Sequence, residues 1–196
     1  GAADFAGPVC STVSADWPDN ADFFMDGGSQ VTTASAERVQ ENMQGIIDEL
    51  KSQKADVMFL QEVDRFSTRA HHTDEQQDIA ESMDGYQSTF ANNFKVRYVP
   101  YPWPPIGRVD SGIMTLSRFA PSPFKWPVSV ANLKRCLLVE RIPVADSGRE
   151  LVMINLHLEA YDNGEGKVKQ TRALLKVMEE EQKKGNYVIA GGDFNQ

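Results

Sequence analysis

Three short apolar runs, each closing on polar side chains, constrain this 196-residue sequence more than any other feature. Val57-Met58-Phe59-Leu60 leads into Gln61-Glu62, and Leu151-Val152-Met153-Ile154 into Asn155-Leu156-His157. Tyr187-Val188-Ile189-Ala190 leads into Gly191-Gly192-Asp193-Phe194-Asn195. Each run is too short for a helix and reads as a buried strand. Helical patterns stand before the first and third runs. Ser35 is a good N-cap with Glu37 in the first turn, and Val39, Met43, Ile46, Ile47 and Leu50 form one apolar stripe behind it. A second helix is predicted over roughly 167–184, with Val168, Leu174, Leu175, Val177 and Met178 inward and Glu179-Glu180-Glu181 and Lys183-Lys184 in solvent. Gly185-Asn186 supplies its stop. Gly112–Arg118 and Cys136–Ile142 read as further strands, separated by Pro-rich turns around 120–127. Residues 1–34 read as irregular, punctuated by Gly7-Pro8, Trp17-Pro18 and Gly27-Gly28. Helix–strand alternation around a strand-rich middle implies one layered α/β protein, with no internal repeat and no dividing linker.

Composition narrows the function classes. Hydrophobic residues are 41% and charged residues 24%, ordinary globular usage, which excludes wholesale disorder. Twenty Lys and Arg against 28 Asp and Glu give a net charge of −8, which argues against a passive electrostatic binder of DNA or RNA. An enzyme that meets phosphates through a metal ion stays open, because an acidic pocket that holds a cation adds negative charge. Cys10 and Cys136 are too few for a disulfide framework or a structural zinc site, although one bridge between them remains open. No stretch approaches the roughly 20 apolar residues that span a bilayer. Gly1-Ala2-Ala3-Asp4 contains no basic region leading into an apolar run, so no signal peptide is read there, and cytoplasmic and secreted locations both stay open.

The polar ends of the three runs carry the chemistry. Ligands of α/β sheets bind at the carboxyl ends of strands, so Glu62, Asn155, His157, Asp193 and Asn195 are candidates for one cleft. A carboxylate, an imidazole and a second carboxylate with an amide suit a phosphate and a hard, hydrated cation such as Mg²⁺. They suit zinc poorly, since a lone strand-end His is not a zinc set.

Leu60-Gln61-Glu62-Val63, Ser111-Gly112-Ile113-Met114-Thr115-Leu116-Ser117-Arg118, Asn155-Leu156-His157-Leu158 and Gly191-Gly192-Asp193-Phe194-Asn195 stand in a telling order. In that order the sequence resembles the endonuclease/exonuclease/phosphatase superfamily, the deoxyribonuclease I-like phosphoesterases, over about residues 20–196. Asp22–Gly28 and His157–Asp162 look like a bacterial branch of undefined substrate. The resemblance implies a four-layered α/β sandwich, two sheets face to face with helices outside. It implies Glu62 as the ligand of Mg²⁺, with Mn²⁺ as a substitute. His157 would bond a phosphate oxygen, Asp193 would orient or deprotonate the attacking water, and Asn195 would hold phosphate or water in line. Such a site works by positioning and charge stabilisation. The substrate would be a phosphoric ester of a nucleic acid, a phospholipid or a sugar, with nucleic acid unsupported by the net charge.

Arg118 is divided between a structural and a phosphate-facing reading, and Arg69, with His71 and His72, between a solvated loop and substrate contact. Tyr98–Pro105 reads as a stiff surface loop or a substrate lip. The family also opens on a strand ending in a metal-site Asn, a place that falls near Ser11-Thr12, where Phe5–Cys10 does not read as a core strand. It continues past the Gly-Gly-Asp-Phe-Asn strand to a catalytic His, for which His71, His72 and His157 offer no candidate. The expectation is therefore a single domain over 1–196, incomplete at both ends and poorly active alone. The alternative is a catalytically decayed member of the fold that binds or regulates.

Overall fold

Ser35 caps the first helix as its position predicts: its Oγ accepts from Arg38 N–H at 3.2 Å, and the helix ends at Lys54 in the left-handed conformation. The computed structural model describes residues 9–12, 30–32, 35–120, 128–129, 135–159 and 165–195. The elements run β1 (Val9–Thr12), α1 (Ala36–Gln53), β2 (Val57–Asp64), α2 (Glu75–Ser82), β3 (Gln87–Val99), β4 (Gly107–Ser117), β5 (Val128–Ser129), β6 (Cys136–Val144), β7 (Arg149–His157), α3 (Glu165–Lys183) and β8 (Tyr187–Asp193). They make two mixed sheets, ordered β1-β2-β4-β3 and β5-β6-β7-β8. The β1–β2 and β7–β8 pairs are parallel, and every other pair is antiparallel.

Strand alternation sorts the apolar side chains into layers. Met58, Leu60, Met114 and Leu116 face outward onto Val39, Met43, Ile47 and Leu50 of α1 and Ile79 of α2. Val57 and Phe59 face inward and meet Met153 of the second sheet, while Ala91 and Ile113 meet Cys136 and Leu138. Val152, Ile154 and Leu156 turn outward again, onto Leu174 of α3. The result is the α/β sandwich expected, helix, sheet, sheet and helix in depth.

Three expectations change. Val9–Thr12 is a strand after all, parallel to β2, with Thr12 paired to Gln61. Val168 and Leu175 of α3 are about half exposed, at 47% and 51%, because they lie roughly a third of a turn round from Leu174. Glu181, expected in solvent, is 3% exposed. It follows Leu174 by seven residues, two helical turns, and so lands on the buried stripe. There Arg141 donates to both of its oxygens, at 2.7 and 2.8 Å. Among the described residues β8 pairs with β7 alone, and Val188, Ile189 and Ala190 are half buried. The Asp22–Gly28 motif, the turns at 121–127 and the Ala160–Asp162 part of the later motif lie outside the described residues.

Candidate active site

β2 does not reach its end straight. Leu60 pairs with Met114 and Val63 with Gly112, so Gln61 and Glu62 together oppose Ile113 in a bulge. Glu62 takes a left-handed φ of 58°, a conformation that costs a non-glycine residue on the order of 1–3 kcal/mol and recurs at functional sites. The bulge aims neighbouring side chains at different targets. Gln61 is buried, and its Nε2 donates to Asn155 Oδ1 of β7 at 2.8 Å. Asn155 Nδ2 in turn donates to the carbonyls of Met114 at 2.9 Å and Leu60 at 3.3 Å. This amide pair bridges the two sheets. Glu62 beside it and His157 two residues beyond it are thereby held at the same rim.

His157 and Asp193 are register partners on β7 and β8, with Nε2 and Oδ2 3.7 Å apart. Burial holds the imidazole below the ordinary histidine value, and the positive charge of Arg135 acts the same way. Glu62, Asp193 and Glu159 pull it upward. Asp193 comes so close because Gly192 precedes it. At φ 135° a side chain there would put Cβ 2.0 Å from the carbonyl oxygen of Leu156. Asp193 Oδ1 accepts from Asn195 N–H at 2.8 Å, and Asn195 Nδ2 donates to Leu158 O at 2.7 Å. Both side-chain positions are set by short backbone bonds.

Glu62, His157, Asp193 and Asn195 are thus gathered at the strand ends. Arg69 also comes to this pole, but not as part of a solvated loop. It is buried, with Nε 2.7 Å from Asp64 Oδ2 and Nη2 3.0 Å from Asp64 Oδ1, and its Nη1 is 3.7 Å from Glu62. A fork-on-fork pair of this kind fixes the guanidinium in place, so Arg69 orients Glu62. His71 and His72, next in the chain, are exposed. Arg118 is not brought to the site. It follows β4 at the end that pairs with the start of β2, and its guanidinium stacks over Tyr86 at 5.0 Å.

Sequence reasoning missed the supports. Glu75 of α2 is buried and accepts from Asp64 N–H at 2.8 Å, so it braces the end of β2. Arg135 and Glu159 pair at 3.5 Å near His157. Cys136, a free buried thiol, is pushed up to about 11 by burial and is no nucleophile. No run or spacing marks these residues; the single hint was a charged Asp64 closing a buried strand.

The donors fit a hard cation that keeps most of its water. Glu62 offers a carboxylate one-third exposed at the rim, and Mg²⁺ is held by one or two carboxylates plus waters. Among the described residues no group of three or more His, Cys, Asp or Glu is arranged to hold a metal.

A model of the endonuclease/exonuclease/phosphatase family matches residues 20–196. The chain belongs to this family. Among solved structures, truncated Caenorhabditis elegans TDP2 is 19% identical with a TM-score of 0.58, covering 79% of this chain and 55% of its own. D. rerio TDP2 complexed with single-strand DNA product is 20% identical at TM-score 0.54, covering 79% of this chain and 53% of that one. The mannosyl-6-phosphatase of Bacteroides thetaiotaomicron is 17% identical at TM-score 0.54, covering 80% and 57%. At these identities the likeness is one of fold, and the chain spans just over half the length of each. Comparison with curated proteins gives no match. Family membership accounts for the two-sheet sandwich.

Proposed function

We propose that this chain carries the active site of a Mg²⁺-dependent phosphoester hydrolase, with Mn²⁺ as a working substitute. The observation that carries the reading is the convergence of three strand ends, those of β2, β7 and β8. The Gln61–Asn155 bond at 2.8 Å ties the sheets together where Glu62 and the His157–Asp193 pair stand. Glu62 would hold the ion, which when bound supplies positive charge against the phosphate and the leaving oxygen.

The remaining chemistry belongs to the chain. His157 is held neutral by burial and can donate one N–H to a phosphoryl oxygen while that oxygen gains charge. Asp193, fixed by the Asn195 N–H through one oxygen, keeps the other for a water proton. Asn195 closes the turn beside it and positions the phosphate or the water. Arg69 keeps the Glu62 carboxylate from swinging away. Substrates of two kinds, diesters and monoesters, are compatible with this set. The names of the structural neighbours span both kinds, a DNA product in one and a mannosyl phosphatase in another.

Turnover of a chromogenic diester, inositol phosphates, sphingomyelin and plasmid DNA by the full-length protein tests the reading. Activity on at least one ester should vanish with EDTA and return with Mg²⁺ or Mn²⁺. His157→Ala and Asp193→Asn should each lower kcat by roughly 10²- to 10⁴-fold without changing Tm. Activity indifferent to EDTA, or unchanged in Glu62→Gln, refutes the assignment. A full-length protein with no turnover and no heat of Mg²⁺ binding would instead be a binding module.

A further inference from the structure

The covered stripe of α3 changes character along its length. Leu174, Val177 and Met178 pack on Val152, Ile154 and Leu156 of β7. Nearer the site the stripe turns polar, at Gln170 and Lys167. Gln170 is buried and stands four residues before Leu174, while half-buried Lys167 stands three before Gln170, so all three share one face. Packing alone asks for apolar residues there, because a buried amide costs free energy unless it is bonded. Both side chains instead reach backbone just past a strand end. Gln170 Oε1 accepts from Glu159 N–H at 2.8 Å, two residues beyond His157. Lys167 Nζ donates to the carbonyl of Asn195, two residues beyond Asp193. The strand ends are also tied to each other, Leu158 N–H to Asp193 O at 2.8 Å and Asn195 Nδ2 to Leu158 O at 2.7 Å. These bonds close a ring that runs through α3, the end of β7 and the end of β8.

We propose that Lys167 and Gln170 are positioning residues, a two-point clamp by which α3 fixes the ends of β7 and β8 against each other and so holds His157 at Asp193. This role rests on the hydrolase reading of that pair. His157 and Asp193 are the last register partners of their two strands, so the ladder fixes nothing beyond them. β8 is also half buried, so packing holds it less firmly than a strand covered on both faces. The clamp supplies what ladder and packing do not. An ammonium is a strong donor to a carbonyl, because charge assists the bond. A displacement of about 1 Å between reacting groups can cost on the order of 10²-fold in rate, so a support that never touches substrate can still govern turnover. The clamp acts as one unit. Releasing either point lets the two strand ends shift past each other, and releasing the second then adds little.

Lys167→Met, Gln170→Leu and the double variant of the full-length protein, assayed with Mg²⁺ on bis-p-nitrophenyl phosphate, test the clamp. Each single variant should lower kcat by roughly tenfold or more while KM stays near the wild-type value. Calorimetric Mg²⁺ affinity should not change, because Glu62 stands on β2. The double variant should fall only about as far as the worse single one. Lys167→Arg keeps a charged donor and should restore kcat, and Lys169→Met, at an exposed position of the same helix, should match the wild type. Hydrogen exchange reads the clamp without any turnover. Gln170→Leu should speed exchange of the Glu159 N–H, and Lys167→Met that of the Leu158 and Asn195 N–H groups, by roughly tenfold. If the wild type hydrolyses no ester and these amides still lose protection, the hydrolase reading fails while the clamp stands. Unchanged exchange overturns the clamp. So does a variant whose Tm falls while kcat holds, or a double variant whose losses multiply.

Discussion

In the β1–β4 sheet the strand that brings Glu62 to the rim is closed on both faces; in the β5–β8 sheet the strand that brings Asp193 there is half buried among the described residues. Residues 57–61 of β2 are all buried, between α1 and α2 on one side and the second sheet on the other. In β8 only Gly191 is buried, while Val188, Ile189 and Ala190 are half covered, chiefly by α3 and β7. One half of the site thus rests on a rigid floor, and the other on a strand whose geometry is imposed locally, by Gly192 and the Asp193–Asn195 turn. Close packing resists displacement because every neighbour is already in contact.

Truncation should expose this difference most strongly. Phe59→Ala, in a side chain with no exposure, is expected to destabilise by about 3–5 kcal/mol in urea unfolding. Ile189→Ala on half-buried β8 should cost about 1 kcal/mol. Equal losses would break the comparison.

Two buried carboxylates sharpen it further. Glu181 accepts from Arg141, Lys184 and Asn186, and the Arg141 bonds above all hold its carboxyl well below the usual range. Glu181→Gln should therefore cost about 2–3 kcal/mol at neutral pH. A lowered native pKa contributes stability that is complete above the ordinary carboxyl value of 4.5 and is lost as pH falls through the native one. The gap between wild type and variant should accordingly narrow in acid, and a gap that stays constant from pH 7 to pH 3 refutes the pairing.

Glu140 is the opposite case. It points between the sheets at 5% exposure, bonded to Thr89, with Oε2 lacking a partner among the described residues. Burial raises its pKa, so its contribution is present in acid and lost as pH rises through the native value. Glu140→Gln, the smallest effect of the three, should stabilise the protein by about 1 kcal/mol at pH 8 and not at pH 4. A destabilised variant at pH 8 would show that the ionised carboxylate has a partner after all.

Much of this was legible in the chain. The strands carrying Glu62, His157 and Asp193 announce themselves by apolar runs that end in polar residues, because a strand covered on both faces must be continuously apolar until it leaves the core. α1 announces itself by its stripe and its Ser35 cap. β3 does not, since an edge strand of Gln, Ser, Thr, Asn, Lys and Arg needs no apolar run. β1 is four residues long and shows no pattern of its own. Among the site residues, the burial of Arg69 was not legible, because its partners, Asp64 and Glu62, meet it only across a turn. Arg118 was drawn toward the site by its motif, although an antiparallel strand carries its two ends to opposite poles.

By itself, then, the order of apolar and polar residues determined that the protein is layered α/β and which strand ends would carry chemistry. Those properties depend on periods of two and 3.6 residues, which are local. The tertiary structure alone decided that Gln61 and Asn155 lock the sheets together and that Glu181 is buried and Val168 is not. Each of these depends on which surface covers which, and residues 94 positions apart in the chain, as Gln61 and Asn155 are, share no local pattern that could say so.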